Sequence, residues 1–366
     1  VLDSRQAQRP PATRGSCMSP YRWTLAGIIG FLAITTSHAQ IVKDPDPLFQ
    51  SSDTLEVRIT GPIHTLLTER SDERDLDGLF QYTSEAGEKV ELNIGIRTRG
   101  ISRLKPSVCP FPPLRLDFKK SQIKKSLFHK QDKLKLVTHC RDKSRRYEQT
   151  LMNEFLAYRI LNQLTDISFR VRLLRITYVD TDGVDADRTA YGFLIEHKDR
   201  LSKRLGLEPL KIAKTTTRSL DLEYTNLISV FHFMIGNTDF SPIAGPDAIC
   251  CHNHVLIGEE GTPLLSVPYD FDQSGLVNAP HGITNPRFRL RDARERLYRG
   301  RCINNAYVEG TLSLYADKRD EILQLIANQE GMAAGWRKTA TKLLGAFYKI
   351  IGSPKQVDKK LLKKCI

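Results

Sequence analysis

The chain reads as α+β with two lobes, a β-rich N-terminal lobe carrying one helix and a mainly helical C-terminal lobe. Two observations predict this. Between Leu55 and Leu136, short segments alternate apolar and polar residues and are separated by Gly, Pro and charged turns. After Glu196, apolar residues recur at helical spacing or fill whole segments. The 366 residues suffice for two average domains. A content of 40% hydrophobic and 27% charged residues belongs to a folded chain with a real core. It excludes a disordered, a collagen-like and a multi-span membrane protein.

Residues 1–39 read as a secretory signal peptide. The run from Trp23 to Thr36 (WTLAGIIGFLAITT) follows Arg22 and precedes Ser37 and Ala39, a small-x-small ending. It falls short of the roughly 20 residues that span a bilayer. Met18 lies just upstream, so residues 1–17 fit a start site placed too early; an uncleaved anchor helix is the alternative. Either way the remainder is expected outside the cytoplasm, in a periplasmic, extracellular or cell-surface location. No stable membrane span is expected after cleavage.

Residues 40–53 (QIVKDPDPLFQSSD) read as a linker. The β-rich lobe, 54–196, has strands at Leu55–Thr60, Lys89–Thr98, Pro113–Phe118 and Lys133–Thr138. A helix over Tyr147–Leu164 follows, with Leu151, Phe155, Tyr158, Leu161 and Leu164 on one stripe. Strands Val171–Val179 and Ala190–Glu196 flank a turn at Asp180–Gly183. The helical lobe, 197–352, opens with a segment at Leu222–Ile235 that is apolar on almost every side and is therefore buried, with Gly236 placed to end it. Short strands at His254–Gly258 and Leu264–Val267 and helices at Leu312–Asn328 and Met332–Ile351 complete the lobe. Residues 353–366 form a basic tail.

Lys and Arg total 55 against 42 for Asp and Glu, a formal charge of +13. Removing 1–39 takes away four Arg and one Asp, so the folded body keeps a strongly basic balance suited to phosphate-bearing partners. Nothing resembles a nucleic-acid-binding module, and the runs KKSQIKK and KKLLKK lack interleaved aromatics, so no nucleic-acid partner is expected. The body retains Cys109, Cys140, Cys250, Cys251, Cys302 and Cys365. An even number in an exported chain predicts at least one disulfide, with the pairing open.

The most informative stretch is Gly236–Gly275. The buried helix releases GNTDFS, which places Asn237 and Asp239 on a firmly held loop. His252-Asn253-His254 leads into a strand, and the next strand ends in Pro268-Tyr269-Asp270-Phe271-Asp272. Asp239, Asn253, Asp270 and Asp272 form an oxygen-rich set of the kind that Mg²⁺ or Mn²⁺ prefers. Taken singly, each Asp also suits a turn cap. Zinc held by His252, His254 and the cysteines is a rival reading. Adjacent Cys250 and Cys251 serve one tetrahedral ion poorly, however, and disulfides compete for them.

The order GNTD, then HN, then a strand ending in DFD resembles the catalytic and metal loops of kinase-like phosphotransferases. The nearer resemblance is to the spore-coat protein H (CotH) kinase-like family. It extends upstream through RTRG at 97–100, PLRLDF at 113–118, KLKLV at 133–137, TLMNEFLAY at 150–158 and YGFLIE at 191–196, over roughly 94–278. The resemblance implies a two-lobed protein-kinase-like architecture. It also implies a metal-dependent transfer of a phosphoryl group from ATP or another nucleotide to a protein or small hydroxyl acceptor.

Within it, Asp239 would be the acid or base facing the hydroxyl, Asn253 and Asp270 would hold the metal, and Asp272 would be a second contact. Glu196 would mark a hinge near the base of the nucleotide. Where the family tends to carry Lys the chain has Asp117, which leaves Arg115 and Lys119 as local candidates for the phosphate-contacting cation. Glu154, at the edge of the helix stripe, would pair with that cation, although an ordinary solvated helix Glu fits the same position. Arg97, Arg99 and Arg103 surround a Gly turn and suit either phosphate contact or a solvated loop. Two alternatives stand beside the enzyme: a non-catalytic, pseudokinase-like or surface binding module, and another metal-dependent transferase using Asp270-Phe271-Asp272 as a D-x-D site.

Overall fold

The computed structural model describes residues 42–212, 215–243, 250–259, 261–284 and 286–366. The expected signal peptide lies outside the described residues. The chain first forms β1 (Leu55–Gly61), α1 (Ile63–Glu69), β2 (Leu76–Thr83), β3 (Lys89–Thr98), β4 (Leu114–Phe118), α2 (Lys120–Ile123), β5 (Lys133–Val137), α3 (Arg145–Leu164), β6 (Val171–Asp180) and β7 (Arg188–Ile195).

The seven strands close into a barrel in the order β1-β2-β3-β4-β5-β7-β6. Neighbours pair antiparallel except at the seam, where β1 and β6 run parallel with Val57 opposite Ile176 and Ile59 opposite Tyr178. Successive side chains of a strand point to opposite faces, so the alternation turns one set inward. Leu55, Val57 and Ile59 of β1 join Phe80, Ile94, Leu116, Phe118, Leu134, Leu136 and Ile176 in the barrel core. Ahead of β1, a short 3₁₀ turn at Pro47–Phe49 adds Leu48 and Phe49 to that core.

Closure overturns the two-lobed protein-kinase-like architecture that the family resemblance implies. The chain has a barrel-containing fold with a small sheet and helices. The cause is the seam. Pairing between β1 and β6 joins segments far apart in the chain, and no local alternation encodes it. The sequence reading also lacks β2, whose segment LDGLFQYT buries only Phe80 and Tyr82.

α3 lies against the barrel through Phe155 and Tyr158, whose rings stand 5.7 and 5.8 Å from that of Phe193 on β7. After β7 come α4 (Lys198–Arg204), β8 (Glu208–Leu210), α5 (Leu222–Ile235), β9 (His254–Gly258) and β10 (Leu265–Pro268). The three strands form a second sheet in the order β10-β9-β8. The Asp221 side chain caps α5 by accepting from the backbone N–H of Tyr224. At the other end Gly236 takes the left-handed conformation, φ 68°, that closes the helix.

Then follow α6 (Val308–Asp317), α7 (Arg319–Asn328), α8 (Ala334–Ile351) and α9 (Pro354–Lys360). The single helix expected over Leu312–Asn328 is therefore interrupted at Lys318. Barrel and helices pack as one unit. The cysteines pair as Cys109–Cys140, Cys250–Cys251 and Cys302–Cys365, so the expectation of disulfides is met. Among the described residues, no helix is long and apolar enough to cross a membrane.

Candidate functional site: a carboxylate cluster around Arg103

β10 is buried along its whole length and delivers Tyr269–Asp272 to the barrel side of α3. Phe271 is the anchor. Its ring is fully buried, 4.6 Å from that of Tyr158 and 5.3 Å from that of Phe231. With Phe271 held in the core, the residues on either side are directed away from it. The backbone N–H of Asp270 donates to Tyr158 Oη at 2.9 Å, and Asp270 adopts φ 59°, a left-handed conformation uncommon outside glycine.

The carboxylates meet a guanidinium. Arg103, from the loop between β3 and β4, places Nη2 3.3 Å from Asp270 Oδ1 and 3.6 Å from Asp272 Oδ2. Its Nη1 lies 3.9 Å from Glu154 Oε2 on α3. That loop is tethered by the Cys109–Cys140 disulfide. Arg70 reinforces it by donating to the carbonyls of Leu104, Cys109 and Pro110.

Three carboxyl groups crowded around one guanidinium in a buried setting disfavour ionising all three. Burial, opposed by Arg103 and reinforced by Asp272 and Asp270, pushes Glu154 up to about 8. Burial and then the neighbouring Asp272 raise Asp270. Burial works to raise Asp272 as well, but hydrogen bonding from His281 and the charge of Arg103 bring it below the usual carboxylate range. His281 Nε2 stands 3.2 Å from Asp272 Oδ2, while its Nδ1 is buried without a partner among the described residues.

Two more cations adjoin the cluster. Arg99 is lowered by burial and by Arg103, and is drawn back by Asp270 and Glu154. Lys135 sits on the outer face of the barrel, because its neighbours Leu134 and Leu136 point inward. Although solvent reaches it, crowding by protein atoms and then Arg99 pull it down to about 8. Its Nζ lies 4.9 Å from the centre of the Tyr269 ring.

Asp239 and Asn253 form a second pair. Asn253 Nδ2 donates to the Asp239 backbone oxygen at 2.8 Å and to its carboxylate Oδ2 at 3.1 Å. His252 Nε2 lies 2.8 Å from Asp239 Oδ1. The Asn253 carbonyl accepts from the N–H of Tyr269 at 2.9 Å, which links this pair to the segment entering Asp270. Asp239 and His281 both line a cleft of 720 Å³ whose walls also include Ser102, Tyr147 and Gln273.

The structure thus brings together Glu154, Asp270, Asp272 and Arg99, and places Asp239 with Asn253 nearby. Arg115 on β4 lies in register with Lys135 and contributes to its lowered pKa. Lys119 is exposed just before α2 and, among the described residues, makes no ion pair or hydrogen bond with the cluster. Glu196 is engaged elsewhere. Buried at the end of β7, it pairs with Arg204 Nη2 at 3.1 Å and accepts from the Arg170 backbone N–H.

Sequence reasoning did not single out Lys135 or His281, and named Arg103 only as one of three arginines by a glycine turn. The alternation in KLKLV was the available signal for Lys135, since it turns the lysines away from the barrel interior.

Among the described residues, no group of three or more His, Cys, Asp or Glu side chains is placed to hold a metal ion, so a divalent cation here would rest on two carboxylates alone. Asp270 and Asp272 both reach one guanidinium nitrogen, so Arg103 shows where a positive charge rests between them. The Asn253 amide nitrogen is directed to Asp239 and not to the two aspartates. Two carboxylates suit Mg²⁺, which keeps several waters and takes further oxygens from substrate phosphates. Compared with known proteins, the chain matches no family model and no curated protein.

Proposed function

We propose that this chain is an exported, metal-dependent phosphotransferase that moves a phosphoryl group from ATP or another nucleotide to a hydroxyl of a protein or small molecule. The observation that carries the reading is the convergence of Glu154, Asp270 and Asp272 on Arg103, with Arg99 and Lys135 alongside. Phosphoryl transfer needs little covalent help from the protein and depends on positioning and on neutralising phosphate charge.

Asp270 and Asp272 would hold Mg²⁺ or Mn²⁺, which supplies charge neutralisation at the phosphate oxygens when bound. Arg99 and Lys135 offer cations to the same phosphates. Asp239, held by Asn253 and His252 at the wall of the 720 Å³ cleft, would orient the acceptor hydroxyl and take its proton. Export is supported by the disulfides, which persist in oxidising compartments. The order of the motifs, which resembles that of the CotH kinase-like family although the barrel departs from the fold it implies, supports the same reading.

The test uses residues 40–366 with ATP and Mn²⁺ or Mg²⁺. Nucleotide with metal should raise the melting temperature, and Asp270→Ala should abolish that rise. Absence of both binding and turnover would refute the proposal. A second reading, a binding module without transfer, is favoured by one observation: Arg103 already occupies the position between the aspartates. Binding without turnover would select it, whereas turnover abolished by Asp239→Ala would eliminate it.

A further inference from the structure

A second charged pocket lies where α3 meets the start of β6. It has a volume of 370 Å³, and its walls include Arg159, Asn162 and Gln163 of α3, Arg170, and Ser51 and Ser52 ahead of β1. Glu154 and Arg159 are both on α3. Five residues of helix separate them by about 7.5 Å in height and roughly 140° in direction, so this pocket and the carboxylate cluster occupy different sides of the helix.

Two arginines, Arg159 and Arg170, line this pocket, and one of them lacks a carboxylate partner among the described residues. Among the described residues Arg159 has no carboxylate at ion-pair distance; its guanidinium carbon lies over the Phe155 ring, 5.9 Å from the ring centre. Burial lowers Arg159, and the neighbouring guanidinium groups of Arg170 and Arg172 lower it further. Arg170 is paired with Asp166. Arg172 lies behind the pocket rather than in its walls, where it donates to the Ser51 carbonyl at 2.8 Å and is offset by the charges of Asp53 and Glu85. Asp44 sits at the exposed rim.

Like charges crowded at a partly buried site raise the free energy of the empty protein, and an anion relieves it. Guanidinium forks match tetrahedral oxyanions, and the amide of Gln163 and the hydroxyl of Ser52 supply neutral donors beside them. We infer that this pocket binds one oxyanion group, phosphate or sulfate, either free or as the terminal group of a larger ligand.

The experiment compares thermal melts and titration calorimetry of residues 40–366 in inorganic phosphate and in chloride at matched ionic strength. A parallel arm uses a phosphomonoester in place of inorganic phosphate. The inference expects phosphate to raise the melting temperature above that in chloride, and Arg159→Gln to weaken phosphate binding by about tenfold or more. Arg159→Gln should also melt higher than the parent in chloride, because it removes a repelling charge, so loss of binding is not confused with failure to fold.

Arg99→Gln separates this pocket from the carboxylate cluster, since it should leave the phosphate effect intact. An effect that survives Arg159→Gln but disappears with Arg99→Gln overturns the inference, as does the absence of any difference between phosphate and chloride. Tighter binding of the monoester than of inorganic phosphate identifies the oxyanion as part of a larger ligand, and equal or weaker binding identifies the free ion.

Discussion

His232 Nε2 stands 3.2 Å from His254 Nε2 in the core beneath the Asp239 loop. The contact has a definite polarity. His254 Nδ1 lies 3.0 Å from the Ser266 carbonyl, which only accepts, so Nδ1 carries the proton and Nε2 accepts. His232 therefore donates from Nε2 and accepts at Nδ1 from the Asn237 amide, 3.2 Å away. Asn237 Oδ1 in turn accepts from the Asp239 N–H at 2.9 Å. A directed chain from Ser266 to Asp239 results, and it requires both imidazoles to be neutral.

Acid should break this chain. Burial holds His254 down from 6.5 to about 3 and His232 well below its ordinary range. Between these limits the unfolded chain binds more protons than the folded one, so stability falls as pH drops below about 6.5. His254→Gln should cost roughly 1–3 kcal/mol at neutral pH through lost hydrogen bonds, while melting less steeply with acid. Chemical denaturation at several pH values between 3 and 7 checks both.

Glu154 predicts the opposite trend on a separate window. Its pKa is raised from 4.5 to about 8, so the folded state holds a proton that the unfolded state releases. The stability this contributes is complete below about 4.5 and is lost as pH rises through about 8. Glu154→Gln, which cannot ionise, should gain melting temperature relative to the parent across that rise. A constant difference from pH 4 to pH 9 would show that Glu154 is not protonated in the fold.

The Glu196–Arg204 pair is buried on both sides, with side chains 2% and 3% exposed. Removing one partner strands the other charge. Arg204→Met should therefore destabilise by about 3–5 kcal/mol, while the double change Glu196→Gln, Arg204→Met should cost less than the sum of the single changes. Urea unfolding of the four proteins completes the cycle.

The Cys109–Cys140 bridge closes a separation of 31 residues and tethers the loop that carries Arg103. Replacing both cysteines by Ala should cost about 3–4 kcal/mol in a chain-entropy account. It should also free Arg103 to leave the aspartates, so Mn²⁺ affinity is expected to rise in the variant, as measured by calorimetry.

Parts of this architecture were legible because local chemistry determines them. β1, β3, β4 and β5 alternate because one face of each fills the barrel. α5 is apolar on almost every side because it is buried, and Gly236 marks its end. Asp270 and Asp272 could be paired from sequence because the residue between them is a core phenylalanine.

Barrel closure was not legible, since the parallel contact of β1 with β6 leaves no trace in either segment. Glu196 shows the converse. A carboxylate at a strand end reads from sequence as a candidate hinge residue, and its pairing with Arg204 on α4 depends on tertiary placement. Arg103, Lys135 and His281 meet the cluster only through tertiary placement, which depends on where the disulfide-tethered loop and the turn after Asp272 come to rest.

The seam between β1 and β6 also governs how other chains can approach. A sealed cylinder exposes no row of unpaired backbone amides, so a foreign strand has nothing to extend there. The small sheet is blunted as well: its outer strands β8 and β10 contain Pro209 and Pro268, residues without an N–H to donate. Templated stacking of one copy on another is thereby discouraged along both sheets, leaving association to loops and helical faces.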